Sequence, residues 1–331
     1  MKIGISFFNI NLISYFITIF DKFELQIALM LKTILLFITL LLCEIGNAQQ
    51  DSQFTQYIYN TVAINPAYAG SRETTSIFLL HRNQWLGQEG APITNVAALN
   101  SGLFKNQIGI GLSFSNDNIG ATTENIVSAD MAYNIQFSTT SRLAFGLKTS
   151  ANFYSLDANK LNIFQQNDPE FQNLNGKISP NIGAGIYYYS DSFFTGFSVP
   201  NFMKTKYYTN NEIAINRKSI HYYFLAGYIF TINPTLKFKP SFLSKVTEGA
   251  PFQLDINANF LIQDRLTIGG SYRMGSAISG LIGFQISSSW FLGYGYDQET
   301  TRLSHFNKGS HEVFLRYEIF KPSRVVSPRF F

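Results

Sequence analysis

Charge, cysteine, tryptophan and long apolar runs are all scarce in this chain. Charged residues make up 14% of the 331, against about 25% in an ordinary soluble domain. A water-facing surface is therefore under-supplied. No apolar stretch after residue 48 approaches the roughly 20 residues a spanning helix needs, which excludes a helical membrane bundle. The one cysteine, Cys43, falls in a leader-like segment, so the chain after it has no thiol for a disulfide, a nucleophile or a metal. Trp numbers 2, while Phe reaches 32, Tyr 18 and Gly 24. That richness excludes intrinsic disorder and a coiled coil. The net charge of +4 is scattered, without a Lys/Arg block of the kind nucleic acid requires.

Residues 30–48 read MLKTILLFITLLLCEIGNA. Lys32 is a short basic region, Thr33 to Cys43 an apolar core, and Gly46 and Ala48 the small residues of a signal-peptidase site. Cleavage there would leave Gln49 as the first residue. Residues 1–29 precede a second Met and contain Asp21 and Glu24, which points to a misassigned start and translation from Met30. A membrane anchor fits less well because the apolar core is short. A lipoprotein signal at Cys43 has bulky Leu42 where a small residue is wanted. The expected organisation is a signal peptide over 1–48 and a periplasmic N-terminal segment over 49–71. A β-barrel follows over 72–320, then a tail over 321–331.

From residue 72 onward the dominant period is two, the strand signal. Ile108, Ile110, Leu112 and Phe114 alternate with small or polar residues. Val127, Ala129, Met131, Tyr133, Ile135 and Phe137 oppose Ser128, Asp130, Asn134 and Gln136. Phe252, Leu254, Ile256, Ala258 and Phe260 oppose Gln253, Asp255, Asn257 and Asn259. Val313, Leu315, Tyr317 and Ile319 oppose Glu312, Arg316 and Glu318. Such runs match tilted strands crossing a bilayer. Tight polar turns at 103–106, 138–141, 190–192, 233–234, 263–265 and 287–289 alternate with more variable connections. These are 83–91, 116–122, 157–178, 201–218, 248–250, 274–276 and 297–309. Outer-membrane barrels have this asymmetry, with short periplasmic turns and longer outer loops.

The expected fold is thus all-β, a transmembrane antiparallel barrel of about 14 strands. A soluble sandwich or propeller also alternates, but needs more charge on its exposed face. The lumen is expected to hold Asp130, Arg142, Lys148, Asp255, Arg273, Glu312 and Arg316. An interfacial girdle is expected from Phe137, Tyr187, Tyr188, Tyr189, Phe193, Phe194, Phe230, Trp290 and Phe291. Pro240 cannot donate to a ladder, so a bulge is expected there.

Little chemistry is legible. His81, His221, His305 and His311 have no partner at metal-ligand spacing. There is no G-x-S-x-G elbow, although separate strands can still bring Ser, His and Asn together, as in a barrel lipase. Gly109/Gly111, Gly183/Gly185 and Gly293/Gly295 lack the helix that follows a nucleotide loop, and close packing in the lumen explains them better. No cofactor or metal is indicated. Two stretches do not read as plain barrel: 51–70, suited to the periplasmic mouth or the lumen, and the long polar loop 157–178.

At QYIYNTVAINPAYAG (56–70) the chain resembles the PorP/SprF family of the Bacteroidota type IX secretion system. The resemblance continues through HRNQWLG (81–87), GAPIT (90–94), GLSFSNDNIG (111–120), LAFGLKTSANFY (143–154) and GSHEVFLRYEIF (309–320). Thr61 and Val62 depart from an expected Pro-Leu pair, and KPSRVVSPRFF (321–331) runs past the usual last strand. The resemblance implies a cell outer-membrane barrel, in contact with lipid, with no enzymatic step. It implies support for secretion or surface attachment of cargo bearing a C-terminal sorting domain, including gliding adhesins. It also implies association with periplasmic components of the system. The alternatives are an outer-membrane channel or small-molecule transporter, and a membrane-embedded hydrolase. Candidate partner-binding or plug residues are Tyr57, Tyr59, Asn65, Pro66, Tyr68 and Gly70 in the first block. In the second, at an expected outer rim, they are His81, Arg82, Gln84 and Trp85.

Overall fold

Alternation of apolar and polar residues becomes an unbroken ring of antiparallel strands in the computed structural model of the chain. It describes residues 57–319, apart from 73, 105, 162–172, 204, 207–216 and 219. The expected leader, Cys43, the expected start at Met30, the tail and most of the loop at 157–178 lie outside the described residues.

Among the described residues, fourteen strands form the wall. The first seven are β1 (Thr75–Asn83), β2 (Ile93–Leu103), β3 (Ile108–Ile119), β4 (Thr122–Gln136), β5 (Arg142–Leu156), β6 (Leu174–Tyr189) and β7 (Phe193–Val199). β8 runs as His221–Tyr228 and continues as Phe230–Asn233. β9 (Leu236–Thr247), β10 (Gln253–Ile262), β11 (Leu266–Arg273), β12 (Ala277–Gln285), β13 (Trp290–Glu299) and β14 (Ser310–Ile319) complete it. β1 closes on β14 with Thr75 opposite Ile319 and Asn83 opposite His311. Closure pairs every strand on both sides, as backbone in hydrocarbon requires. A two-residue hairpin, Thr205–Lys206 with Arg217–Lys218, stands outside this ring.

The two faces divide as the alternation demands. Leu79, Leu112, Met131, Leu147, Ile182, Phe260 and Ile282 are exposed on the outer wall. Asp130, Lys148, Asp255, Arg273, Glu312 and Arg316 are buried on the inner one. Facing lipid at mid-depth, a Lys or Arg would cost about 2–4 kcal/mol. Directly opposed strand positions pair these charges: Lys148 Nζ lies 3.4 Å from Asp130 and Arg273 Nε 3.1 Å from Asp255.

Three expectations are corrected. First, only part of the aromatic set faces outward. Phe137, Tyr188, Phe193, Phe230 and Trp290 do, whereas Tyr187, Tyr189, Phe194 and Phe291 are buried in the lumen. Sequence neighbours on a strand point to opposite faces, so runs such as 187–189 and 193–194 cannot lie in one girdle. Second, Pro240 causes no bulge. It stays in register opposite Ala258 of β10. Towards β8, pairing stops at Gly227↔Ser241 and resumes at Phe230↔Phe238 without a shift. The ladder is skipped, not slipped, where the donor is missing. Third, 116–122 is not a loop: β3 and β4 are joined by Gly120 and Ala121 alone.

Candidate functional site

The chain before β1 does not form a strand, and its composition says why. Asn65 precedes Pro66, a helix-start signature of capping side chain and preset φ. Asn65 Oδ1 accepts from Ala67 N at 3.0 Å, opening a 3-10 turn at Pro66–Tyr68. A second such turn covers Thr61–Ala63, where Thr61 Oγ1 donates to Ile58 O at 3.1 Å. Gly70, at φ 71°, turns the chain towards the wall. This compact segment, residues 57–72, sits inside the barrel as a plug. Asn65, Pro66, Ala67 and Ala69 are fully buried.

Each part of the plug has a counterpart on the wall. Asn65 Nδ2 donates to Ile186 O of β6 at 3.1 Å, and Ser198 Oγ of β7 to Ile64 O at 2.7 Å. Lys148 Nζ of β5 donates to the carbonyls of Val62 and Ala63 at 3.2 and 3.3 Å. Gly70 N donates to Asn100 Oδ1 of β2 at 2.6 Å. Asn257 Nδ2 of β10 donates to the Tyr57 hydroxyl at 2.6 Å. Tyr68 packs edge-on against Tyr187 at 5.4 Å, and Tyr59 lies 4.8 Å from Phe314 and 5.4 Å from Phe291. Arg72 closes the segment with an ion pair to Glu318 of β14 at 2.6 Å. Burial raises the Tyr57 phenol pKa and pushes that of Tyr59 up to about 12, so both stay neutral.

The wall is hollowed to admit the plug. A Cβ on Gly109 would strike the Ala69 carbonyl, one on Gly146 the backbone of Pro66 and Ala67, and one on Gly185 the Asn65 side chain. The close lumenal packing expected of the Gly109/Gly111 and Gly183/Gly185 pairs is met against the plug at Gly109 and Gly185. Gly183 abuts Pro200 instead of the plug, and Gly293 makes room for the Phe314 ring. Gly146, Lys148, Asn100 and Glu318 were missed as plug contacts. An inward glycine at 146 was the available signal; the others carry none without the fold.

The second block lies elsewhere, at the rim where the longer connections emerge. His81 faces outward and bonds Asn95 through Nδ1 at 2.8 Å. Arg82 points inward between Asp297 at 2.7 Å and Glu312 at 3.1 Å. Gln84 N donates to Pro92 O at 3.0 Å. Trp85 adopts φ 51° and donates from Nε1 to Glu299 at 2.9 Å. The structure therefore unites the first block in the lumen and distributes the second between both faces and a loop.

On the loop side of the plug is a cavity of about 180 Å³. Tyr57 and Asn60 line it with Lys148, Asn181, Lys245 and Arg273. Among the described residues, no group of three His, Cys, Asp or Glu side chains is placed to hold a metal ion.

The family model described as type IX secretion system membrane protein PorP/SprF matches residues 46–317. No curated protein sequence matches the chain. Among solved structures, the Ralstonia pickettii toluene transporter TbuX is similar at 8% identity and TM-score 0.48, covering 78% of this chain and 92% of that one. The CymD monoaromatic hydrocarbon channel gives 10% and 0.48, covering 82% and 94%. The Acinetobacter baumannii outer membrane protein Omp33 gives 7% and 0.41, covering 75% and 100%. Likenesses this weak carry no argument about this chain.

Proposed function

The chain belongs to the PorP/SprF family of type IX secretion system membrane proteins, and on that premise we propose a plugged, non-enzymatic outer-membrane component of that system. It supports secretion or surface attachment of a cargo protein, such as a gliding adhesin, that carries a C-terminal sorting domain. A signal peptide ending at Ala48 brings it to the envelope. Its short-turn rim faces the periplasm, as in other outer-membrane barrels, and offers the Gly70–Arg72 end of the plug to periplasmic components.

The observation that carries this reading is the filled lumen. A pore needs a water path, and here residues 57–72 occupy the interior with matched hydrogen bonds. Gly109, Gly146 and Gly185 leave space for that segment. A support factor tolerates such a filling, whereas a diffusion channel does not. Deleting the gene should strand a specific adhesin in the periplasm, read by surface labelling of whole cells; undiminished display would sink the proposal. The channel reading draws on the cavity beside Tyr57, and steady conductance of the purified barrel in planar bilayers would favour it. Terminal sequencing of the exported protein checks for Gln49.

A further inference from the structure

We propose that the lumen beside the plug binds a small inorganic anion, a halide such as chloride, held by Arg316, Lys239 and Arg72. The three cations come from three elements: β14, β9 and the plug. All are buried, at 2%, 2% and 6% exposure. Arg72 and Arg316 both approach one carboxylate oxygen of Glu318, at 2.6 and 3.5 Å. Lys239 Nζ and the Arg316 guanidinium both lie over the Tyr59 ring, at 5.8 and 5.9 Å.

Arg316 is the anomaly. Among the described residues its Nε, Nη1 and Nη2 have no hydrogen-bond partner. The guanidinium faces the Phe291 ring at 4.9 Å, which attracts a cation but accepts no ordinary hydrogen bond. Three other lumenal cations differ. Lys148 has Asp130 and two carbonyls, Arg273 has both oxygens of Asp255, and Arg82 has two carboxylates. A guanidinium is all donor and stays charged. Buried with only the 3.5 Å approach to Glu318, it is strongly unfavourable. A monovalent anion supplies the acceptor that the Arg316 guanidinium lacks. Because Arg72 belongs to the plug, the anion also fastens plug to wall. This inference is independent of the secretion role.

The test is thermal unfolding of the purified barrel in detergent at constant ionic strength, with bromide replacing gluconate. Bromide at a hundred times its Kd should raise Tm by about 5–10 °C. Arg316→Gln should lose that increment, while Arg302→Gln on the exposed rim should keep it. Equal Tm values in the two salts, or an increment that survives in Arg316→Gln, would overturn the site. Should Arg316→Gln fail to fold, anomalous scattering from bromide-grown wild-type crystals decides. A peak beside Arg316 supports the proposal, and peaks confined to the surface refute it.

Discussion

The two blocks that most set this chain apart, 57–70 and 81–87, meet the barrel in opposite ways. The first is irregular, and the wall is shaped to it: glycines at 109, 146 and 185 remove the side chains that would collide. The second is regular, and it is shaped to the wall: β1 alternates, so His81 turns out and Arg82 turns in. In the first block specificity is steric and spread over three strands, β3, β5 and β6. In the second it is electrostatic and concentrated in one cation with two carboxylates. A filled lumen depends on the former and a closed ring on the latter.

Breaking the steric half should have the largest effect. Gly109→Leu with Gly146→Leu places branched side chains where the plug backbone runs. Overpacking at two sites sums to as much as about 6 kcal/mol, enough to displace the segment. The expected result is a barrel with a lowered Tm that now conducts steadily in planar bilayers. A silent barrel of wild-type stability would contradict the fit of plug to wall. Breaking the electrostatic half comes next. Arg82→Ala leaves Asp297 and Glu312 buried without their cation and should cost about 3–5 kcal/mol in urea unfolding. Removing all three charges together, with apolar replacements of similar volume, should recover most of that loss. The variant should stay silent in bilayers, because the plug is untouched. Asn65→Ala is milder. It removes a turn cap and a bond to Ile186, for a loss of about 1–3 kcal/mol by the same unfolding measurement.

How legible this contrast was from sequence depends on whether the signal is local. The ring was legible because each strand carries its own alternation, and the glycine pairs at 109/111 and 183/185 pointed to close packing. Residues 51–70 stood apart because they do not read as plain barrel. The facing of Tyr187 and Tyr189 was obscured because an all-aromatic run gives no polar alternation to read. The response to Pro240 depended on which neighbour needed the missing donor, which only pairing decides. The Arg72–Glu318 pair joins positions 246 residues apart, and no local pattern encodes it. The plug was therefore visible as an oddity in the sequence, while its seat was distributed over residues that look ordinary where they stand.

The smallest expected effect sharpens the comparison most, because it asks whether the second block does anything beyond closing the rim. Trp85→Phe keeps the aromatic ring and removes only the Nε1 donor to Glu299. One hydrogen bond to a partly buried carboxylate is worth about 1–2 kcal/mol, so Tm should fall by a few degrees. The polar groups of this loop are already engaged: Trp85 N donates to Ser310 Oγ, Leu86 N to Gly309 O, and Lys308 N to Leu86 O. A segment bonded so completely to its own rim has little left for a partner. Cargo display on whole cells should therefore be unchanged in Trp85→Phe, while the paired glycine variants should lose it. Loss of display in Trp85→Phe at near-wild-type stability would instead make the rim block a docking surface and move the site of recognition from the plug to the outer loops.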